Sequence, residues 1–302
     1  MARKKKVNAS VSAHYDAAID VSRDQYDTKA LRDPTLEYPA NHFRLQLLLE
    51  SFKKKKIHRV FEIGVGEGTP LIALANAGMD VRGIDSAPRM VEASKANLAR
   101  SGLDPERIFR GDIEDPKTYE EQVRGIPLAD GLMAMGVMPH IVDDERALRN
   151  MVQLVRKGGS VFIEFRNILF SLFTQNRYTA DFILDELLRG VDRRMKKIVA
   201  HDLLKRLRTD HPLVRASVRN SSAPGYDAIL SKFHNPFEVI QLFEKLGFRD
   251  MKLLWYHYHP AMPYLVDKDA KLFRKEAVKL EGEHSGWRGY FLCSAFVVEA
   301  RK

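Results

Sequence analysis

From Val60 onward, short apolar runs alternate with amphipathic stretches. The runs are Val60–Ile63, Val81–Ile84, Arg107–Arg110, Leu128–Met135 and Ser160–Phe165. Between them, helical spacing marks Pro70–Ala77, Pro88–Ser101, Lys117–Arg124 and Asp143–Arg156, and Gly158-Gly159 is expected to close the last of these. Strands alternating with helices of this length predict a parallel sheet built from βαβ units. Residues 168–231 break the rhythm and hold no strand pattern. There Ile183, Leu187, Val191, Met195, Val199, Leu203 and Leu207 recur every four residues, as one long amphipathic helix or two broken near Gly190. The alternation resumes after Asn235-Pro236 with a helix over Phe237–Leu246, ended by Gly247. Strands Arg249–Tyr258 and Tyr290–Glu299 follow, separated by a long irregular stretch. Upstream, residues 1–56 are mixed and polar. Asn41 is expected to cap a helix through Arg44, Leu45, Leu48 and Phe52, and Lys53–Lys56 end it near the negative pole of its dipole.

The 302 residues include 49 Lys and Arg against 40 Asp and Glu, a net charge of +9, with 45% apolar and 29% charged residues. That balance excludes a disordered or fibrous chain and suits one large α/β domain with insertions. No apolar run approaches the ~18 residues that would span a bilayer. The basic start, Met1 to Lys6, lacks the apolar segment of a secretory signal. A single cysteine, Cys293, excludes a disulfide framework and a cysteine-based zinc cluster, and points to a reducing, cytoplasmic compartment. Between Arg189 and Arg219, ten Lys or Arg face three Asp, so most of the excess charge sits in one inserted region. This weakens the case for nucleic acid that the total charge would otherwise make.

The most informative stretch is Glu62-Ile63-Gly64-Val65-Gly66-Glu67-Gly68-Thr69. Glycines after an apolar strand let the backbone turn sharply and approach a ligand. A dinucleotide fingerprint would place its third glycine three residues after the second, where Thr69 stands. Glu62, just before the turn, would repel a phosphate but suits an amine-bearing ligand. Asp85 ends the second strand, where it would either cap the following helix or accept both hydroxyls of a ribose, and Asp112 follows the third.

Together, Glu62, Gly64, Gly66, Gly68, Asp85 and Asp112 resemble the class I S-adenosylmethionine-dependent methyltransferases, of the small-molecule type. The resemblance runs over about 60–167 and resumes at 235–246, 249–258 and 290–299. It implies a doubly wound, seven-stranded, mostly parallel α/β sheet of Rossmann-like type, with a helical lid inserted after strand five. It divides the chain into an N-terminal helical lid (1–56), a cofactor-binding core (57–167 and 232–302) and a helical acceptor lid (168–231). It also implies S-adenosyl-L-methionine as cofactor. Gly64 and Gly66 would approach its methionine part, with Glu62 near the amine, Asp85 and Ser86 at the ribose, and Asp112 and Ile113 at the adenine. Met135 would offer backbone groups, Tyr15 would close over the site, and Arg44 would either reach the carboxylate or face solvent.

Methyl transfer from a sulfonium is an in-line displacement, so alignment is the enzyme's main task, and a hydroxyl acceptor also needs a base. After strand four, Met135-Gly136-Val137-Met138-Pro139-His140 resembles the loop of small-molecule enzymes rather than that of nucleic-acid amino-methylating ones. His140, His257 and His259 are the candidate catalytic groups. Strand alternation would put His257 and His259 on one face and Tyr256 and Tyr258 on the other. No acid or cysteine pattern completes a metal site around the two histidines. Arg166, Asn167 and Tyr178 are candidates for the acceptor, Arg166 for its anionic group. The expected activity is methylation of an O or N atom of a small polar metabolite, such as a sugar or an anionic natural-product intermediate. The alternative is an RNA or protein methyltransferase docking through the basic insertion, which also offers a surface for a homodimer.

Overall fold

A computed structural model describes residues 2–18, 25–218 and 221–302, the side chains of 2–5 aside. Part of the N-terminal region (residues 19–24) lies outside these residues, as does Arg219 of the basic stretch. The strands are β1 (Arg59–Ile63), β2 (Asp80–Asp85), β3 (Ile108–Arg110), β4 (Ala129–Ala134), β5 (Val155–Arg166), β6 (Arg249–Tyr258) and β7 (Cys293–Arg301). They form one seven-stranded sheet in the order β3-β2-β1-β4-β5-β7-β6. Neighbours from β3 through β5 pair in parallel, while β7 runs antiparallel to both β5 and β6. The order reverses between β1 and β4, so the carboxyl ends of those strands open a crevice.

The longer helices are α1 (Ala2–Ala17), α2 (Ala40–Lys55), α3 (Thr69–Asn76), α4 (Pro88–Arg100), α5 (Asp144–Gln153), α6 (Arg193–Arg206), α7 (Pro236–Lys245) and α8 (Ala270–Leu280). One sheet face is covered by α2, α3 and α4, through Leu47, Leu48, Phe52, Leu71, Leu74, Val91 and Leu98. The other carries α5 and α7, through Ala147, Leu148, Met151, Val239 and Phe243. Burial on both faces explains why the parallel strands read as unbroken apolar runs.

Several expectations change. Asn41 does not cap α2: it lies inside the helix, whose N-cap is Pro39, with no side-chain cap bond. Gly158-Gly159 lie within β5, not at the end of a helix, because α5 stops at Gln153 and the ladder starts at Val155. A Cβ at Gly159 would meet the Asp130 carbonyl at 2.9 Å, so the strand needs glycine there. The last strand begins at Cys293 rather than Tyr290, after a single helical turn over Gly289–Leu292. A Cβ on Gly289 would sit 2.1 Å from Trp255 Cγ, so this turn packs directly on the indole. The irregular stretch between β6 and β7 contains α8, which no strong periodicity marked. In the insertion the stripe breaks at Gly190 (φ +80°), dividing a π-helical turn at Phe182–Leu187 from α6.

Candidate active site

The glycine turn follows β1. Gly64 has φ +74°, and a Cβ there would meet Val137 Cγ2 at 2.5 Å; Gly66 has φ +55°, with no atom of the described residues within 4 Å of its notional Cβ. Glycine is thus required at 64 by contact and at 66 by backbone conformation. Asp85 is buried at the end of β2; its Oδ2 accepts from Gly66 N at 2.8 Å and its Oδ1 from Ala87 N at 2.9 Å. Burial pushes its carboxyl up, and the two N–H donors oppose the shift. Ser86 beside it is exposed. Glu62 is buried at 1% exposure, and among the described residues its Oε2 has no hydrogen-bond partner. Burial holds this carboxyl well above the usual range. An orphaned acceptor next to an open glycine turn fits a cationic amine, the group that the amino acid part of S-adenosylmethionine would bring.

Asp112 follows β3. Its Oδ1 accepts from Glu114 N at 2.9 Å, and its Oδ2 accepts from Asn8 Nδ2 at 2.7 Å. The carboxamide of α1 thus makes the bond that an exocyclic amine would make. Ile113 turns its side chain into the core, and Met135, just after β4, is also buried.

Arg44 is not solvent-facing, nor is it free for a cofactor carboxylate. It is buried and ion-paired to Glu164 at 2.5 Å, with Tyr26 Oη a second partner at 3.3 Å. Glu164, which the sequence reading missed, also accepts from Gly136 N at 2.7 Å and Tyr256 Oη at 2.6 Å. An acid inside the apolar run Val161-Phe162-Ile163-Glu164-Phe165 was the available signal.

Over the crevice, Tyr15 donates from its hydroxyl to His140 Nε2 at 2.7 Å, and His140 Nδ1 donates to the Leu230 carbonyl at 2.7 Å. The carbonyl can only accept, which fixes the proton on Nδ1 and leaves Nε2 as acceptor. Burial lowers His140 to about 4, so it is neutral near pH 7. Arg166, at the end of β5, lies 4.4 Å from the Tyr226 ring and 5.7 Å from the Phe233 ring. Among the described residues no carboxylate pairs with its guanidinium. Tyr178 stands behind it, 5.6 Å from Phe233.

Asn167 is not available to an acceptor. Fully buried, it donates from Nδ2 to the Tyr290 and Cys293 carbonyls, both at 2.8 Å, and its Oδ1 accepts from Leu169 N. It ties the end of β5 to the turn before β7. His257 and His259 do come together, with rings 4.8 Å apart, but Tyr256 and Tyr258 do not share a face. Tyr256 packs in one core and Tyr258 in the other, because His257 adopts φ +59° and breaks the alternation. Glu281 holds that geometry, accepting from His257 N at 3.0 Å, Tyr258 N at 2.9 Å and Tyr38 Oη at 2.8 Å. His257 Nδ1 meets Ser294 Oγ at 2.8 Å, its ring stacks on Tyr38, and burial keeps it neutral. His259 backs onto Phe170 and is held at about 4 by burial.

Residues 61–163 match the family described as a methyltransferase domain. Over 241 residues the chain is 21% identical to the ubiquinone biosynthesis O-methyltransferase of Coxiella burnetii, covering 80% of this chain and 83% of that one. It is 30% identical over 131 residues to the enzyme of the same name from Methylobacterium nodulans, covering 43% and 50%. Among solved structures, the YcgJ protein of Bacillus subtilis is similar at TM-score 0.49 and 14% identity, over 86% of this chain and 98% of that one. Strand order, the glycine turn with its acids and the methyltransferase domain matched over residues 61–163 support a class I S-adenosylmethionine-dependent methyltransferase.

Proposed function

We propose that this methyltransferase methylates a hydroxyl oxygen of a small acceptor bearing an anionic group. Arg166 carries the reading. A guanidinium flanked by two aromatic rings, with no carboxylate partner among the described residues, is prepared for an anion from outside the chain. Neutral imidazoles beside it supply what a hydroxyl acceptor needs, a group able to take a proton.

In this reading Gly64 and Gly66 would hold the cofactor, which would supply an electrophilic methyl group on sulfur. Glu62 would meet its amine, Asp85 and Ser86 its ribose, Asp112 and Ile113 its adenine, and Met135 its methionine part. Asn8 competes for Asp112, so α1 shifts when an adenine amine takes that place. Arg44 acts indirectly, through Glu164, which anchors Gly136 N beside the methionine site. Tyr15 covers the site; its hydroxyl accepts the acceptor's proton while passing its own to His140 Nε2. His257, fixed by Ser294 and backed by His259, lines the same chamber, and Tyr178 supports Phe233 beneath Arg166.

The test is a panel of phenols and sugars with and without carboxylate or phosphate groups, followed by mass spectrometry for one added methyl. Arg166→Met is expected to raise KM for anionic acceptors about tenfold or more, leaving neutral ones unchanged. Tyr15→Phe is expected to lower kcat about a hundredfold with cofactor affinity within a few-fold of wild type. Equal KM values for anionic acceptors in wild type and Arg166→Met would remove the reading.

A further inference from the structure

Helix α6 is the least embedded helix of comparable length. It carries six Lys and Arg against one Asp, and none of its residues is buried. Arg206 pairs with Asp202, but Arg193, Arg194, Lys196, Lys197 and Lys205 form no ion pair among the described residues. The same stretch exposes large apolar side chains: Met195, Ile198 (64%) and Leu204 on the helix, then Leu213 (76%) and Val214 in the loop after it. Arg208 and Arg215 flank that loop, and Arg208 lies over the half-exposed ring of Tyr264 at 6.0 Å. Isolated exposed apolar residues need no explanation, but a run of them interleaved with unpaired cations does.

We propose that the insertion, through α6 and the 213–214 loop, docks on an anionic phospholipid surface. Lysine and arginine stems can lie along the headgroup boundary with their charges in water, while Met195, Ile198, Leu213 and Val214 enter the acyl region. The attachment is peripheral, since among the described residues no helix is long and apolar enough to cross a membrane. Two other occupants fit the patch less well. A two-fold dimer through this face would set the same cationic surface against itself. A nucleic acid would satisfy the cations at its phosphates but leave the apolar tips without a partner. The inference rests on the insertion alone and is independent of how Arg166 or Tyr15 acts.

The test is flotation of the full chain with vesicles of equal parts phosphatidylcholine and phosphatidylglycerol, against pure phosphatidylcholine. Binding is expected to the mixed vesicles only and to weaken with salt. Neutralising three cations (Arg194→Gln, Lys197→Gln, Lys205→Gln) is expected to cost about a hundredfold in partitioning, at about fivefold per charge. Ile198→Asn with Leu213→Asn, in a protein of unchanged melting temperature and cofactor affinity, is expected to cost at least about tenfold. Four results would overturn the proposal. They are equal binding to both vesicles, unchanged partitioning of the apolar variant, tighter binding of a duplex oligonucleotide than of vesicles, or a dimer in sedimentation that Ile198→Asn dissolves.

Discussion

Replacing Arg44 by Met tests whether the buried network beneath the crevice stands on one ion pair. The side chains of Arg44 and Glu164 are 11% and 8% exposed, and the contact is 2.5 Å. In Arg44→Met the Glu164 carboxylate keeps two donors, Gly136 N and Tyr256 Oη, but loses its guanidinium counter-charge. Removing one partner of a buried pair costs about 3–5 kcal/mol, and the two remaining donors favour the lower end, ~3 kcal/mol. At an unfolding entropy of about 2.1 cal/mol/K per residue, that loss lowers Tm by about 5 °C for a chain of this length. Calorimetry on Arg44→Met, Glu164→Gln and the double variant completes a cycle. The double variant should be at least as stable as Arg44→Met, because no uncompensated charge remains buried. A fall in Tm below about 1 °C for Arg44→Met, or strict additivity in the cycle, would show that Glu164 does not depend on Arg44.

Asp85→Ala is expected to weaken cofactor binding in calorimetry about a hundredfold, through two charge-assisted hydrogen bonds of about 1.5 kcal/mol each; unchanged affinity would remove Asp85 from the site. Stability should depend on pH through groups that shift in opposite directions. Burial lowers His140 to about 4, so between about 4 and 6.5 the unfolded chain binds more protons than the folded one, and stability is lost as pH falls through that window. Burial raises Glu281 to about 7, so its contribution is present at low pH and is lost as pH rises from about 4.3 towards 7. In denaturant titrations His140→Phe should flatten the acid limb and Glu281→Gln the rise-side loss, each by up to about 3 kcal/mol. Variant and wild-type curves that run parallel would refute both assignments.

Much of the sheet was legible because burial on both faces leaves strands such as Val81–Ile84 continuously apolar, and because glycine and proline mark the turns between them. The misreadings fall where a long-range contact outweighs a local signal. Gly158-Gly159 resembles a helix stop, yet the pairing of Gly158 N with the Lys302 carbonyl and of Lys302 N with the Gly159 carbonyl carries β5 through it. Asn41 resembles a cap, yet α2 begins one residue earlier at Ala40. Between β6 and β7, α8 stayed hidden because Ala277 is its only buried side chain, so little apolar patterning was needed to place it.

The candidate site divides along the same line. Gly64, Gly66 and Asp85 were readable because the apolar runs 60–63 and 81–84 end directly before or at them, so the local pattern places them at strand ends whatever distant atoms they meet. Glu164 and Glu281 were not, because each gathers donors from distant segments: Glu164 from α2, the β4 end and β6, and Glu281 from Tyr38 and the end of β6. These two carboxylates hold backbone in place around the candidate site. Glu164 ties Gly136 to Arg44, so the loop after β4 cannot move without disturbing a buried charge. Glu281 holds His257 in a backbone conformation that a bulky residue ordinarily avoids, and that single departure carries the imidazole to Ser294 and Tyr38 while Tyr258 crosses to the opposite core. Alternation along β6 therefore gives the wrong partners for His257: the carboxylate that sets its position lies on another element and acts through the backbone.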